Sequence, residues 1–268
     1  MTYIVDRADI VVAAEIADGT FTFNNRNYSV IQKFGRSTAV GTGFAPVAVG
    51  NNYQMPVVGS ATALRVKAGN AADDAAGAGA QEITLQGLDE TGALVEESLA
   101  TAGASASGNT TATFTRLFRA YVSGAGAYAT AAAGGMAADV VIENAAGGTD
   151  WLTISSADFD RGQSQVACYT IPLGKTGYIQ TFDASVDIKG ARPVSLILMQ
   201  RRNILQTSAP YSTWRTVDEY NGIESEMRRT REVPLGPFPA LTDIVWLAKA
   251  DATSGVSINM AIMLVDEL

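Results

Sequence analysis

There is no histidine in this chain and only one cysteine, Cys168. The first absence removes imidazole metal sites and every Ser-His-Asp or Cys-His nucleophile pair. The second removes any internal disulfide framework, and Cys168, set between apolar neighbours, reads as a small buried hydrophobe. Charged residues are scarce, 17% against 47% apolar, a balance that argues against wholesale disorder. No apolar run approaches the roughly 18 residues a membrane helix needs. The opening Met1-Thr2-Tyr3-Ile4-Val5-Asp6-Arg7 has no basic segment leading into an apolar one. Neither a membrane span nor a secretory signal is therefore expected, and the glycosylation-like triplets at Asn27 and Asn109 are expected to be chance matches. A basic face is missing too. Residues 1–160 hold 16 acidic and 8 basic side chains, while residues 161–268 hold 11 of each, which accounts for the net −8. A clamp on a nucleic acid backbone needs clustered cations, so no nucleic acid partner is expected. The one basic cluster is Met227-Arg228-Arg229-Thr230-Arg231; on a strand Arg229 and Arg231 share a face and Arg228 takes the other.

What the chain does have is small residues and alternation. Gly is abundant at 26 residues, which suits a turn-rich all-β protein better than a helical bundle. Between Tyr178 and Ile188 a period of two puts Tyr178, Phe182, Ala184, Val186 and Ile188 on an inner face and leaves Ile179, Thr181, Asp183, Ser185, Asp187 and Lys189 outside. The end of the chain repeats this: Val256, Ile258, Met260, Ile262 and Leu264 alternate with Ser257, Asn259 and Ala261. Shorter strands are expected over Leu64–Lys67, Glu82–Leu88, Ala93–Leu99 and Thr111–Ser123, with a turn at Asp89-Glu90-Thr91-Gly92. A further pair, Ala138–Glu143 and Asp150–Ile154, is joined across Asn144–Gly148.

Near the N-terminus, Asp9–Ile16 reads as a short helix or an extended arm, Phe21–Val30 as a hairpin turning at its asparagines, and Gly35–Tyr53 as a loop or extended connection. Later in the chain Val166–Ile171 and Val194–Arg202 read as strands, with a turn at Gly190–Pro193. Asn221-Gly222 predicts a hairpin turn between Ser212–Tyr220 and Ile223–Leu235, with a helix over Thr213–Tyr220 as the alternative. Pro234, Pro237 and Pro239 forbid a central strand there. These segments predict an all-β fold: an N-terminal arm and hairpin over 1–55, then two β-sandwiches in tandem over 56–160 and 161–268.

Residues that could carry chemistry give weak patterns. Gly174-Lys175-Thr176 has the end of a phosphate-cradling loop, but Tyr169 stands where the first glycine is needed and a strand follows in place of a helix. Asp158-Phe159-Asp160-Arg161-Gly162 opens like a calcium loop, yet Gly162 takes a ligand position and no acid closes the loop. Glu96-Glu97 should point to opposite faces of a strand and Asp73-Asp74 should be solvated, so neither makes a glycosidase pair. Trp151, Trp214 and Trp246 read as core or interface, with sugar platforms as the rival reading. No catalytic, cofactor or metal-binding residue is assigned.

Several stretches in order carry a resemblance. Leu85-Gln86-Gly87-Leu88-Asp89-Glu90-Thr91-Gly92 is followed by Phe118-Arg119-Ala120-Tyr121-Val122, then by Tyr169-Thr170-Ile171-Pro172-Leu173-Gly174-Lys175-Thr176-Gly177-Tyr178-Ile179. Phe238-Pro239-Ala240-Leu241-Thr242-Asp243-Ile244 and the terminal Ala261-Ile262-Met263-Leu264-Val265-Asp266 complete the set. Over residues 60–268 the chain resembles a family of tailed-phage virion structural proteins. The resemblance implies a non-enzymatic β-sandwich component in many copies on the particle, its partners being copies of itself and virion proteins such as the major capsid protein. A head decoration or cement role leads, with neck, tail and head-fibre roles open. A carbohydrate-binding or hydrolysing β-protein is the rival of another class.

Overall fold

The computed structural model describes residues 7–51, 53–55, 61–157, 162–187 and 193–267. Helix α1 (Arg7–Ala17) leads into strand β1 (Phe21–Phe23) and the long β2 (Arg26–Val40), followed by the short β3 (Ala45–Pro46). Next come β4 (Leu64–Ala68), β5 (Ala80–Leu88), β6 (Leu94–Ala100), β7 (Arg116–Ala125), the one-turn helix α2 (Tyr128–Ala132), β8 (Val140–Asn144) and β9 (Asp150–Ile154). The rest of the chain forms β10 (Cys168–Thr170), β11 (Lys175–Asp187), β12 (Val194–Arg201), β13 (Arg215–Ile223), β14 (Glu226–Phe238), β15 (Asp243–Ala250) and β16 (Ser254–Asp266). The molecule is nearly all β, as the alternation predicts, and every named strand pairing is antiparallel.

Four sheets result. Strands β1-β2-β16-β11-β14 form one and β10-β15-β12-β13 a second, with β3 added beside β15. Their inner faces meet in a core where the Phe182 and Trp246 rings lie 4.8 Å apart between centroids, flanked by Leu196, Leu198, Ile258, Met260 and Ile262. Each such large apolar side chain, fully buried, contributes about 1.5–3 kcal/mol. Two three-stranded sheets, β4-β8-β9 and β6-β5-β7, enclose another core around Leu64, Val66, Ile83, Leu85, Leu117, Ile142 and Leu152.

The N-terminal hairpin is present, with Asn24 and Asn25 at φ 50° and 59°, left-handed values that asparagine tolerates. It does not end at Val30. Residues expected to begin a loop or an extended connection at Gly35 continue β2 to Val40, because the strand gains a partner in β16 from Val30↔Met263 to Ser37↔Val256 and on to Ser254↔Val40. Gly35 permits this: a Cβ there would lie 2.1 Å from the Ala167 nitrogen and 2.6 Å from the Val47 oxygen. Asp9–Ile16 is helical.

β16 follows its expected alternation residue by residue. β11 does not. A bulge between Ile179↔Ile262 and Thr181↔Ala261 leaves Gln180 as the extra residue, so Ile179 turns inward and Tyr178 outward, in opposition to the predicted phase. Phe182, Ala184 and Val186 keep their inward places. Ile188, Lys189, the Gly190–Arg192 part of the predicted turn and the Asp158–Arg161 stretch lie outside the described residues.

Asn221-Gly222 corrects a second expectation. The pair lies inside β13 and closes no hairpin, and neither is Thr213–Tyr220 helical. Four residues of β13 (Tyr220 to Ile223) oppose three of β12 (Leu196 to Val194), so Asn-Gly, with Gly222 at φ 73°, makes a bulge. The chain then leaves this sheet, and β14 pairs with β11 in the other one. β14 sits at its sheet's edge, where Pro234 and Pro237 can be tolerated.

Candidate functional site

Two features join the two pairs of sheets. The first is a buried ion cluster. Arg116 of β7, fully buried, donates from Nε to Asp243 Oδ1 at 2.8 Å and from Nη2 to Oδ2 at 2.9 Å, while Nη1 donates to the Thr115 carbonyl. Thr170 Oγ1 donates to Oδ1 at 2.7 Å and Arg201 Nη2 to Oδ2 at 2.8 Å. Burial by itself would raise the Asp243 carboxyl; the hydrogen bonds and charge of Arg116, helped by Thr170 and Arg201, hold it below the usual carboxylate range. Arg201 also lies 4.8 Å over the Trp214 ring. The arrangement satisfies the carboxylate from β7, β10 and β12 at once and acts as a structural clamp.

The second feature is a cleft of about 620 Å³ between β2 and the outer face of the β6-β5-β7 sheet. Glu96, Gln86 and Arg119 stand opposite one another on successive strands of that sheet. Gln86 donates to Glu96, and Arg119 Nη2 donates to Gln163 Oε1 at 2.7 Å, which extends the polar row. The other wall is β2, from Val30 to Phe34. Phe34 and Leu94 leave 41% and 57% of their surface to solvent at this cleft.

Lys33 also lines the cleft and is only 7% exposed. It donates from Nζ to the Phe118 carbonyl at 2.6 Å, and no carboxylate among the described residues pairs with it. Burial lowers its pKa from 10.5 to about 8, with the buried Cys168 thiol opposing and Arg119 adding to the fall. Tyr169, whose ring packs 4.6 Å from Phe118, completes the floor; its hydroxyl is buried with no hydrogen-bond partner among the described residues, and burial pushes its pKa up.

The residues weighed from sequence fall elsewhere. Trp151 and Trp246 are core, and Trp214 is half-buried beneath Arg201, so the tryptophans do not form a platform. Glu96 and Glu97 do point apart: Glu96 faces Gln86, whereas Glu97 accepts from the Thr111 and Ala112 amides at 2.7 and 2.9 Å. Asp73 is not solvated. It is fully buried and accepts from the Ala80, Ala137 and Ala138 amides, tying the Gly/Ala-rich loop to the start of β8. Lys175 pairs with Asp266 and leads into β11, with no helix N-terminus for a phosphate. Cys168 is buried. Arg229 lies over the Tyr220 ring and Arg231 contacts Asp218 and Tyr220, while Arg228 reaches Asp183, the division of faces that strand geometry predicts. Sequence reading missed Lys33; its sole signal was a lysine in the run Val30-Ile31-Gln32-Lys33-Phe34.

The chain is therefore an antiparallel all-β protein with a polar-and-apolar cleft where its sheets meet. No family model matches the sequence. No curated protein matches it either. Among solved structures, the Yersinia pseudotuberculosis-derived mitogen aligns at 14% identity over 35% of this chain and 82% of its own, with a TM-score of 0.20. The infectious bursal disease virus VP2 subviral particle aligns at 7% identity over 90% of this chain and 77% of its own, TM-score 0.21. The Gt strain of the same virus aligns at 10% identity over the same shares, TM-score 0.21. Superpositions this loose carry no inference for this chain.

Proposed function

We propose that this chain is a non-enzymatic structural protein of a tailed-phage virion, assembled in the host cytoplasm, and that it decorates the head by binding capsid subunits and copies of itself. The observation that supports this reading is spatial. The stretches that resemble the virion family are far apart in sequence yet meet at one seam: the Leu173 amide donates to the Gly92 carbonyl at 2.9 Å and the Leu241 amide to the Ile171 carbonyl at 2.8 Å. Phe118 packs on Tyr169 at the same seam, and Arg116 binds Asp243 there. A set of segments that builds one junction is a coherent structural unit, as a subunit held among copies in a shell needs to be.

The outer edge of β14 supports the same reading. Among the described residues no strand pairs with its outer side, Val233 is 81% exposed, Pro234 and Pro237 interrupt the edge, and Arg228 adds a charge to the strand. Charges and prolines on an edge discourage indiscriminate strand pairing and leave association to specific side-chain contacts. Many weak contacts repeated over a shell then add up through avidity, with no reaction required.

Copy number tests the proposal. Quantitative mass spectrometry of purified particles should find the chain in hundreds of copies. On the order of a dozen copies would place it in a neck or tail ring, and a few tens in head fibres, by the closed symmetry of such assemblies. Its absence from particles would overturn the virion reading altogether.

A further inference from the structure

We propose that the cleft between β2 and the β6-β5-β7 sheet binds an acidic sugar, a hydroxylated ring bearing a carboxylate. This site stands apart from the structural role and does not depend on it.

The anion requirement comes from Lys33. A buried ammonium has three donors to satisfy and a charge to balance, and among the described residues this one has a single carbonyl acceptor and no carboxylate. Arg119, on the facing wall, adds a second cation against the single acid Glu96, so the cleft lining is locally positive on a chain of net charge −8. The Tyr169 hydroxyl, unpartnered among the described residues, offers another hydrogen bond beside it. A ligand carboxylate reaching the Lys33 ammonium would complete a charge-assisted pair in a desolvated setting, where such bonds are strongest.

The rest of the wall suits hydroxyl groups. Glu96, Gln86, Arg119 and Gln163 form a continuous row of fixed donors and acceptors, and an amide presents one of each side by side, the pattern that vicinal hydroxyls match. Opposite this row the exposed face of Phe34 on β2, and beside Glu96 on β6 the exposed face of Leu94, give apolar surface for the C–H side of a ring. A volume of about 620 Å³ lies within the range of cavities that enclose a ligand of a few rings.

The experiment is isothermal titration calorimetry on the full chain with three probes: trigalacturonate, neutral galactotriose and phenylacetate. Trigalacturonate should saturate one site per chain and bind at least tenfold more tightly than galactotriose. Lys33→Met should weaken it at least tenfold. Arg119→Ala and Phe34→Ala, at positions exposed enough to leave the fold intact, should each weaken it severalfold with an unchanged circular dichroism spectrum. No saturable binding of trigalacturonate overturns the proposal, as does equal binding of galactotriose or binding unaffected by all three substitutions. Phenylacetate binding as tightly as trigalacturonate would overturn the sugar assignment.

Discussion

Replacing Lys33 by methionine tests how much a buried charge costs this fold, because the substitution keeps the stem and removes the ammonium. Burial lowers the folded-state pKa from 10.5 to about 8. That difference corresponds to about 3 kcal/mol against the charged form. The sign follows from proton counts. Below pH 8 both folded and unfolded chains carry the Lys33 proton, so the penalty is present in full. Between pH 8 and 10.5 the folded chain releases the proton while the unfolded chain keeps it, and the stability of the native protein gains with pH from this group. Above 10.5 both are neutral and the penalty is gone. Lys33→Met also leaves the Phe118 carbonyl without its donor. That loss costs about 1–3 kcal/mol and is nearly independent of pH. Urea unfolding of both proteins from pH 7 to pH 11 should therefore show the stability difference moving by about 3 kcal/mol in favour of the native chain, with equal m-values. Tyr53 and Tyr169, whose pKa values burial raises, titrate in both proteins and cancel in the difference; Cys168, whose thiol interacts with the Lys33 charge, is replaced by alanine in both proteins. Two parallel stability curves would refute the reasoning.

Asp243→Asn should destabilise the protein by about 3–5 kcal/mol in equilibrium unfolding, since it strands the fully buried Arg116 guanidinium. In the native chain the contribution of Asp243 should be complete above the ordinary carboxyl value of 3.8 and be lost as pH falls through its lower folded value, a slope that Asp243→Asn should lack. Gly35→Ala, a steric change with ordinary φ, should cost about 3 kcal/mol in the melting transition because the new Cβ meets the Ala167 and Val47 backbone. Gly148→Ala, whose Cβ would meet no atom within 4 Å, should cost about 1 kcal/mol, from its positive φ alone. In reconstituted particles, Val233→Lys should lower occupancy if the β14 edge docks on a neighbour, and unchanged occupancy would exclude that edge.

The amino-acid pattern by itself determined the fold class and most of the strands. Alternation in β16, the Asp89–Gly92 turn and the asparagine turn after β1 are local signals, set by side-chain period and by φ preferences that act over a few residues. Even the division of Arg228 from Arg229 and Arg231 needed only strand geometry. The tertiary structure alone decided the rest. The bulge at Gln180 arises from matching β11 to β16, and an isolated strand has no register to slip. Asn221-Gly222 can form a hairpin turn or a bulge, and the pairing of β13 with β12 selected the bulge. Arg116 and Asp243 lie 127 residues apart in sequence, and Lys33 and Phe118 lie 85 apart. No short-range rule brings such groups together; the packing of one pair of sheets against the other does. The clamp and the cleft both sit on that seam, so sequence periodicity could reveal the strands that build it while leaving its chemistry unread.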